Sequence, residues 1–128
     1  MSIAFWCLLA AGLLPYAAVG VAKADKTFLQ HNDQPREWEA RLTGRKARAH
    51  AAHLNSFEAF PFFTAAVLVA TYCRAPQATV DTLAMAFIVA RVAYIWCYVS
   101  NRPTLRSTVW AIGFGMCVAL FFVAAFAR

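Results

Sequence analysis

The sequence predicts an all-α integral membrane protein, a left-handed bundle of four transmembrane helices. Three observations carry that expectation. Hydrophobic residues make up 62% of the 128 positions and charged residues 14%, against about 25% charged in a typical soluble domain. The apolar residues gather into four blocks, each roughly 20 residues long, the length that crosses a hydrocarbon core of about 30 Å. Basic residues concentrate in one connection between blocks, as they do in the cytoplasmic loops of membrane proteins. This reading makes residues 1–128 a single membrane domain, with spans near 2–22, 48–73, 78–100 and 104–127 and a cytoplasmic loop at 23–47.

Block one, Ile3 to Ala22, reads as a retained span and not as a signal peptide. No basic residue precedes Ile3, the apolar stretch exceeds a usual signal core, and no small-residue cleavage site follows. The connection after it holds Lys23, Lys26, Arg36, Arg41, Arg45, Lys46 and Arg48, seven of the twelve basic residues of a chain with net charge +6. The second connection holds only Arg74, and the third holds Arg102 and Arg106. Connections one and three are therefore expected on the cytoplasmic side and both termini on the opposite side. The basic loop reads as a topology signal and a contact for lipid headgroups. No nucleic-acid-binding motif accompanies it, so nucleic acid is not an expected partner. The run HNDQP predicts a turn. From Arg36 onward the pattern is helical despite Gly44 and leads into span two, with Trp38 at interfacial depth.

Block two runs from Leu54 to Cys73, interrupted by Asn55, Glu58 and Pro61; block three runs from Ala78 to Val99, interrupted by Asp81 and Arg91. Block four is Leu105 to Ala127, and Pro103 is well placed to open its helix. The connections CRAPQAT and SNRPTLRS are short, so neighbouring spans run antiparallel in an up-down-up-down bundle. Gly113 and Gly115 permit close helix approach without a GxxxG spacing. Cys7, Cys73, Cys97 and Cys117 fall one per span with no CxxC. They read as small apolar filler, with neither a metal nor a disulfide expected.

The stretch RAHAAHLNSFEAFPF, Arg48 to Phe62, carries polar groups into an apolar span. Charges at that depth are costly and are rarely present without a partner or a function. Counting 1.5 Å per residue from the cytoplasmic entry puts Asn55 roughly 10 Å deep and Glu58 roughly 15 Å deep. Counting back from Ser100 puts Tyr98 roughly 3 Å, Tyr94 roughly 9 Å and Arg91 roughly 14 Å deep. Glu58 thus matches Arg91, Asn55 matches Tyr94, and His53 approaches Tyr98. Helical spacing places Asn55 and Glu58 on one face, and Arg91, Tyr94 and Tyr98 on another. Two roles fit: a Glu58–Arg91 ion pair that fixes helix register, or a cavity open to the cytoplasm for a polar, charged small molecule. His50 and His53 have an i, i+3 spacing, but with no carboxylate beside them they read as interfacial polar residues and not as metal ligands. Arg106 and Ser107 open span four beside the end of span three. Arg106 is either a positive-inside anchor or an anion clamp at the mouth of the cavity.

These residues resemble a known family. Arg48, Asn55, Glu58, Pro61 and Phe63 (or Phe62) fit the pattern R-x(6)-N-x(2)-E-x(2)-P-x-F, similar to the second helix of the MAPEG family, the membrane-associated proteins of eicosanoid and glutathione metabolism. The run ARVAYIWCYVSNRPTLRS resembles that family's third helix, R-x-x-[YH]-x-x-x-Y, followed by an arginine at the start of helix four. The likeness extends in order, spacing and span count across nearly the whole chain. It is closer to the small bacterial members, which implies a bacterial inner membrane.

The resemblance implies a homotrimer that binds glutathione between subunits near the cytoplasmic face. Asn55 and Glu58 would contact the peptide, Glu58 at its amino end, with Arg48, His53 and Arg91 beside them and Tyr94 and Tyr98 lining the pocket. Arg106 takes the place of the arginine that stabilises the thiolate, helped by Tyr98 and Ser107. A thiol of pKa about 8.5 is drawn toward neutrality by an adjacent guanidinium. The implied activity is a glutathione-dependent transferase or peroxidase. Its lipophilic electrophile would enter from the bilayer between spans one and four of neighbouring subunits. The chain departs from the pattern at Ala51 and Leu54, where glutathione-using members carry another arginine, at Ala59, a tyrosine in one branch, and at Lys23, an arginine in the family. His50, His53, Arg48 and Lys23 are left to supply the missing cationic contacts. These departures suit an alternative, a non-catalytic lipid- or ligand-binding relative that has lost the thiol site. A proton-coupled exporter also has four short spans but uses an acid in the first, and span one here has none.

Overall fold

The computed structural model describes residues 1–24 and 33–127. Its helices are α1 (Ile3–Lys23), α2 (Pro35–Ala40), α3 (Gly44–Tyr72), α4 (Gln77–Val99) and α5 (Pro103–Ala125). Four of them, α1, α3, α4 and α5, are long and apolar enough to cross a membrane. α3 and α4 form the central pair. α1 packs on one side of that pair and α5 on the other.

Each helix end has a local cause. Ser2 caps α1, its Oγ accepting from the Phe5 N–H at 3.4 Å. A second orphan donor, the Ala4 N–H, is satisfied from another helix: it donates to Asp81 Oδ1 on α4 at 2.8 Å, and Gln77 Nε2 donates to the same oxygen at 2.8 Å. Pro35 opens α2, where its missing N–H costs nothing.

The helical pattern expected to run unbroken from Arg36 is interrupted. α2 stops at Ala40, and Gly44 enters α3 with φ +60°, a left-handed conformation that glycine adopts readily. α3 then runs for 29 residues, roughly 43 Å, which exceeds the hydrocarbon thickness and leaves Arg45, Lys46 and Arg48 near its outer end. Trp38 is buried. Lys23 pairs with Glu39 at 3.3 Å, tying the end of α1 to α2. Lys26 and the first two residues of the expected HNDQP turn lie outside the described residues.

The turns after α3 and α4 share one design. In each, a residue in the left-handed conformation follows the helix, Arg74 (φ 57°) in one and Asn101 (φ 56°) in the other. The next N–H reaches back five residues, Ala75 to the Ala70 carbonyl at 3.0 Å and Arg102 to the Cys97 carbonyl at 2.9 Å. That is a Schellman motif, and a proline follows directly in both, Pro76 and Pro103.

The core is built of small residues and a few rings. Ala4, Cys7 and Ala11 of α1 cluster with Phe63, Ala66, Val67 and Ala70 of α3, Val80, Ala84 and Phe87 of α4, and Cys117, Leu120 and Ala124 of α5. Small residues let helices approach closely where lipid offers no hydrophobic drive to associate. Phe63 and Phe87 stack with centroids 3.9 Å apart. A Cβ on Gly113 would meet Ala90 Cβ at 3.5 Å, so this glycine does sit at a helix contact, whereas Gly115 faces open space.

Candidate functional site

Arg91 is the centre of the polar constellation. It is only 4% exposed, in the seam between α3 and α4. Its Nη2 donates to Asn55 Oδ1 at 3.0 Å and to Ser56 Oγ at 3.2 Å. The Ser56 hydroxyl in turn donates to the Ala52 carbonyl at 2.8 Å. Asn55 faces both ways: while its oxygen accepts from Arg91, its Nδ2 donates to Glu58 Oε2 at 3.3 Å. The guanidinium also lies 4.2 Å from the centroid of the Tyr94 ring, a favourable placement for a cation.

The expected direct Glu58–Arg91 ion pair does not form. Among the described residues no carboxylate lies within 4.0 Å of Arg91. Matching depth was not enough, because position around the helix also counts. At about 100° per residue, Glu58 is rotated roughly 200° from Ser56, the residue that faces α4 in the seam. Glu58 points to the exposed side, and Asn55 bridges the gap.

From Arg91 the cluster continues toward the basic end of the bundle. Tyr94 meets Tyr98 edge-on at 5.7 Å, and Arg106 of α5 lies 4.3 Å from the Tyr98 centroid. Glu58, Asn55, Arg91, Tyr94, Tyr98 and Arg106 thus form one continuous chain of contacts across three helices. Three expected members stand apart. Arg48 donates from Nε and Nη2 to the Val99 carbonyl, each at 3.3 Å, and so caps the end of α4. His53 turns toward α1, its Nδ1 2.6 Å from the Pro15 carbonyl. A carbonyl only accepts, so the proton is on Nδ1. Ser107 donates to the Pro103 carbonyl of its own helix at 3.1 Å.

A cavity of about 220 Å³ lies between α3, α4 and α5. Asn55, Glu58 and Arg91 supply its polar part, and Phe62, Phe87, Trp110, Phe114 and Cys117 most of the rest. Phe62 stacks on Phe114 at 5.4 Å, and Phe114 on Trp110 at 5.3 Å. Sequence reasoning missed Ser56 and this aromatic wall. The available signals were a hydroxyl one residue from Asn55 and the Trp110–Gly113–Phe114 spacing on one face of span four. The cavity combines an exposed carboxylate, a dehydrated guanidinium held by neutral partners, and flat apolar walls. That donor set suits a molecule with both charged and apolar parts.

No curated protein and no solved structure matches the chain significantly. The model of the MAPEG family matches residues 3–126 of the 128. The match takes in all four spanning helices and the whole polar chain from Asn55 to Arg106. The chain belongs to the MAPEG family and is an integral membrane protein related to glutathione and eicosanoid metabolism.

Proposed function

We propose that the protein is a membrane-embedded, glutathione-dependent transferase or peroxidase acting on lipophilic electrophiles, working as a homotrimer with its basic end in the cytoplasm. The observation that supports this most is the contact chain from Glu58 through Asn55, Arg91, Tyr94 and Tyr98 to Arg106, beside an aromatic-walled cavity. The residues fit the peptide: Glu58 suits its ammonium group, and Asn55 and Arg91 suit peptide oxygens and a carboxylate. Bound glutathione would supply a thiol nucleophile. Arg106, held in place by the Tyr98 ring, would stabilise the thiolate, and Ser107 would lie one residue further along the same helix turn. The aromatic walls of α3 and α5 would hold the apolar part of the electrophile.

The direct test is glutathione binding to the detergent-solubilised protein by calorimetry, with a thermal-shift control. Saturable binding is expected in the wild type and is lost in Asn55→Ala and Glu58→Ala. In Arg106→Ala, binding persists while turnover of a model electrophile falls. A second reading, a ligand-binding relative without thiol chemistry, has its own support. Arg48 and His53, two of the side chains left to replace the missing arginines, are committed to backbone carbonyls. No binding at millimolar glutathione would favour that reading.

A further inference from the structure

Arg74 is the one basic residue in the turn between α3 and α4, at the end of the bundle opposite the basic loop. It holds the left-handed position of its Schellman turn, with φ 57°, the place that Asn101 takes in the turn after α4. Glycine is the usual residue there and asparagine the next. Arginine has a Cβ and no short polar group to bond back to the backbone, so that conformation disfavours it. A residue kept against its local preference marks a place where the side chain has a use.

The Arg74 side chain lines a groove of about 460 Å³ between the start of α4 and the end of α5. Pro76 and Thr79 stand beside it, and Phe122, Val123 and Phe126 form the opposite wall. The groove shares no residue with the Glu58–Arg106 chain or its cavity. We infer that it binds an anionic phospholipid, with Arg74 and Thr79 on the headgroup phosphate and an acyl chain along Phe126 and Phe122.

The order of residues with depth supports this assignment. α5 runs toward this end, so Phe126 is near the rim and Phe122 lies roughly 6 Å deeper. The two rings are 78% and 60% exposed. Arg74 lies in the turn and Thr79 in the first turn of α4. Cation and hydroxyl thus sit at the rim with rings below, the profile of a headgroup over its chains.

Charge gives the headgroup its sign. Among the described residues the side chains of Arg74 and Thr79 have no ion-pair or hydrogen-bond partner. No carboxylate lines the groove. The acid on the first turns of α4, Asp81, is occupied by the Ala4 N–H and by Gln77. A guanidinium and a hydroxyl with no acid beside them suit a phosphate, and a choline headgroup finds no anion for its ammonium. The exposed rings select a phospholipid over free phosphate.

The test is lipid retention by native mass spectrometry and melting temperature of the full-length protein in detergent, with phosphatidylglycerol, phosphatidylcholine or inorganic phosphate added. Phosphatidylglycerol is expected to be retained and to raise the melting temperature; the other two are not. Arg74→Gln should weaken that binding about tenfold, the loss of one hydrogen bond to a charged group. Thr79→Val should weaken it less, and Arg74→Lys should keep most of it. Arg74→Gly separates fold from ligand. Without lipid it should melt no lower than wild type, because glycine suits the turn, yet it should lose phosphatidylglycerol as Arg74→Gln does. Arg102→Gln, at the opposite end and packed on Trp96, should bind as wild type does. Wild-type affinity in both Arg74→Gln and Arg74→Gly overturns the site. An equal loss in Arg102→Gln overturns it too, since overall charge would then explain both. Equal stabilisation by inorganic phosphate overturns the lipid assignment, and equal retention of phosphatidylcholine overturns the anionic headgroup.

Discussion

Asp81 and Arg48 perform the same task at opposite ends of the bundle, with opposite charge. Asp81, on α4, accepts from the Ala4 N–H at the start of α1. Arg48, on α3, donates to the Val99 carbonyl at the close of α4. Each places its charge against the complementary end of a neighbour's helix dipole. The surroundings differ. Around Asp81 the interior is apolar and small, built of Ala4, Cys7, Val80, Ala84, Leu120 and Ala124. Toward Arg48 the interior carries Arg91, Tyr94 and Tyr98, and helix contacts run through rings and polar groups. The far end is where the fold is packed, and the basic end is where a ligand can compete for the groups that hold it.

That contrast can be broken in order of size. Phe63→Ala removes a fully buried ring stacked on Phe87 and should cost about 3–5 kcal/mol, read as a large drop in melting temperature in detergent. A small drop would mean that the apolar core is not the stable part. Asn55→Ala strips one partner from Arg91 and should cost about 1.5–3 kcal/mol. Arg91→Met, which removes the buried charge itself, should cost less than that. The reverse order in the same melting assay would show that the guanidinium is itself a stabilising element. Asp81→Ala should cost about 1 kcal/mol, in line with loss of a helix cap. Asp81→Asn should restore the hydrogen bond and lose only the charge, about 0.3–1 kcal/mol. Arg48→Met should fall in that last range, with glutathione binding unchanged if its role is to cap α4. A loss of glutathione binding without a loss of stability would instead return Arg48 to the ligand site.

The four spanning helices were legible because length and composition decide them with little help from tertiary contacts. Depth was legible too, since rise per residue is constant, and Arg91, Tyr94, Asn55 and Glu58 do meet in one region. Rotation about the helix axis was not. Whether Ser56 or Glu58 faces Arg91 depends on how α3 is turned against α4, and that is set by packing over the whole length of both helices. The partners of Arg48 and His53 were hidden for another reason. Both bind backbone carbonyls, which every residue carries and which no side-chain pattern marks. The aromatic wall was invisible because phenylalanine and tryptophan on a spanning helix look the same whether they face lipid, core or cavity.

The paired turns at Arg74 and Asn101 bear on how the chain enters the bilayer. Each hairpin, α3 with α4 and α4 with α5, is closed by hydrogen bonds within six residues and a proline stop. The entropy of closing such short loops is small, so these three helices can pair as soon as they leave the ribosome and its translocation channel. α1 is synthesised first, yet the acid that caps it, Asp81, lies 77 residues from Ala4. The first helix to be made therefore gains its inter-helix cap only when α4 arrives, and until then its N-terminal cap is Ser2 alone.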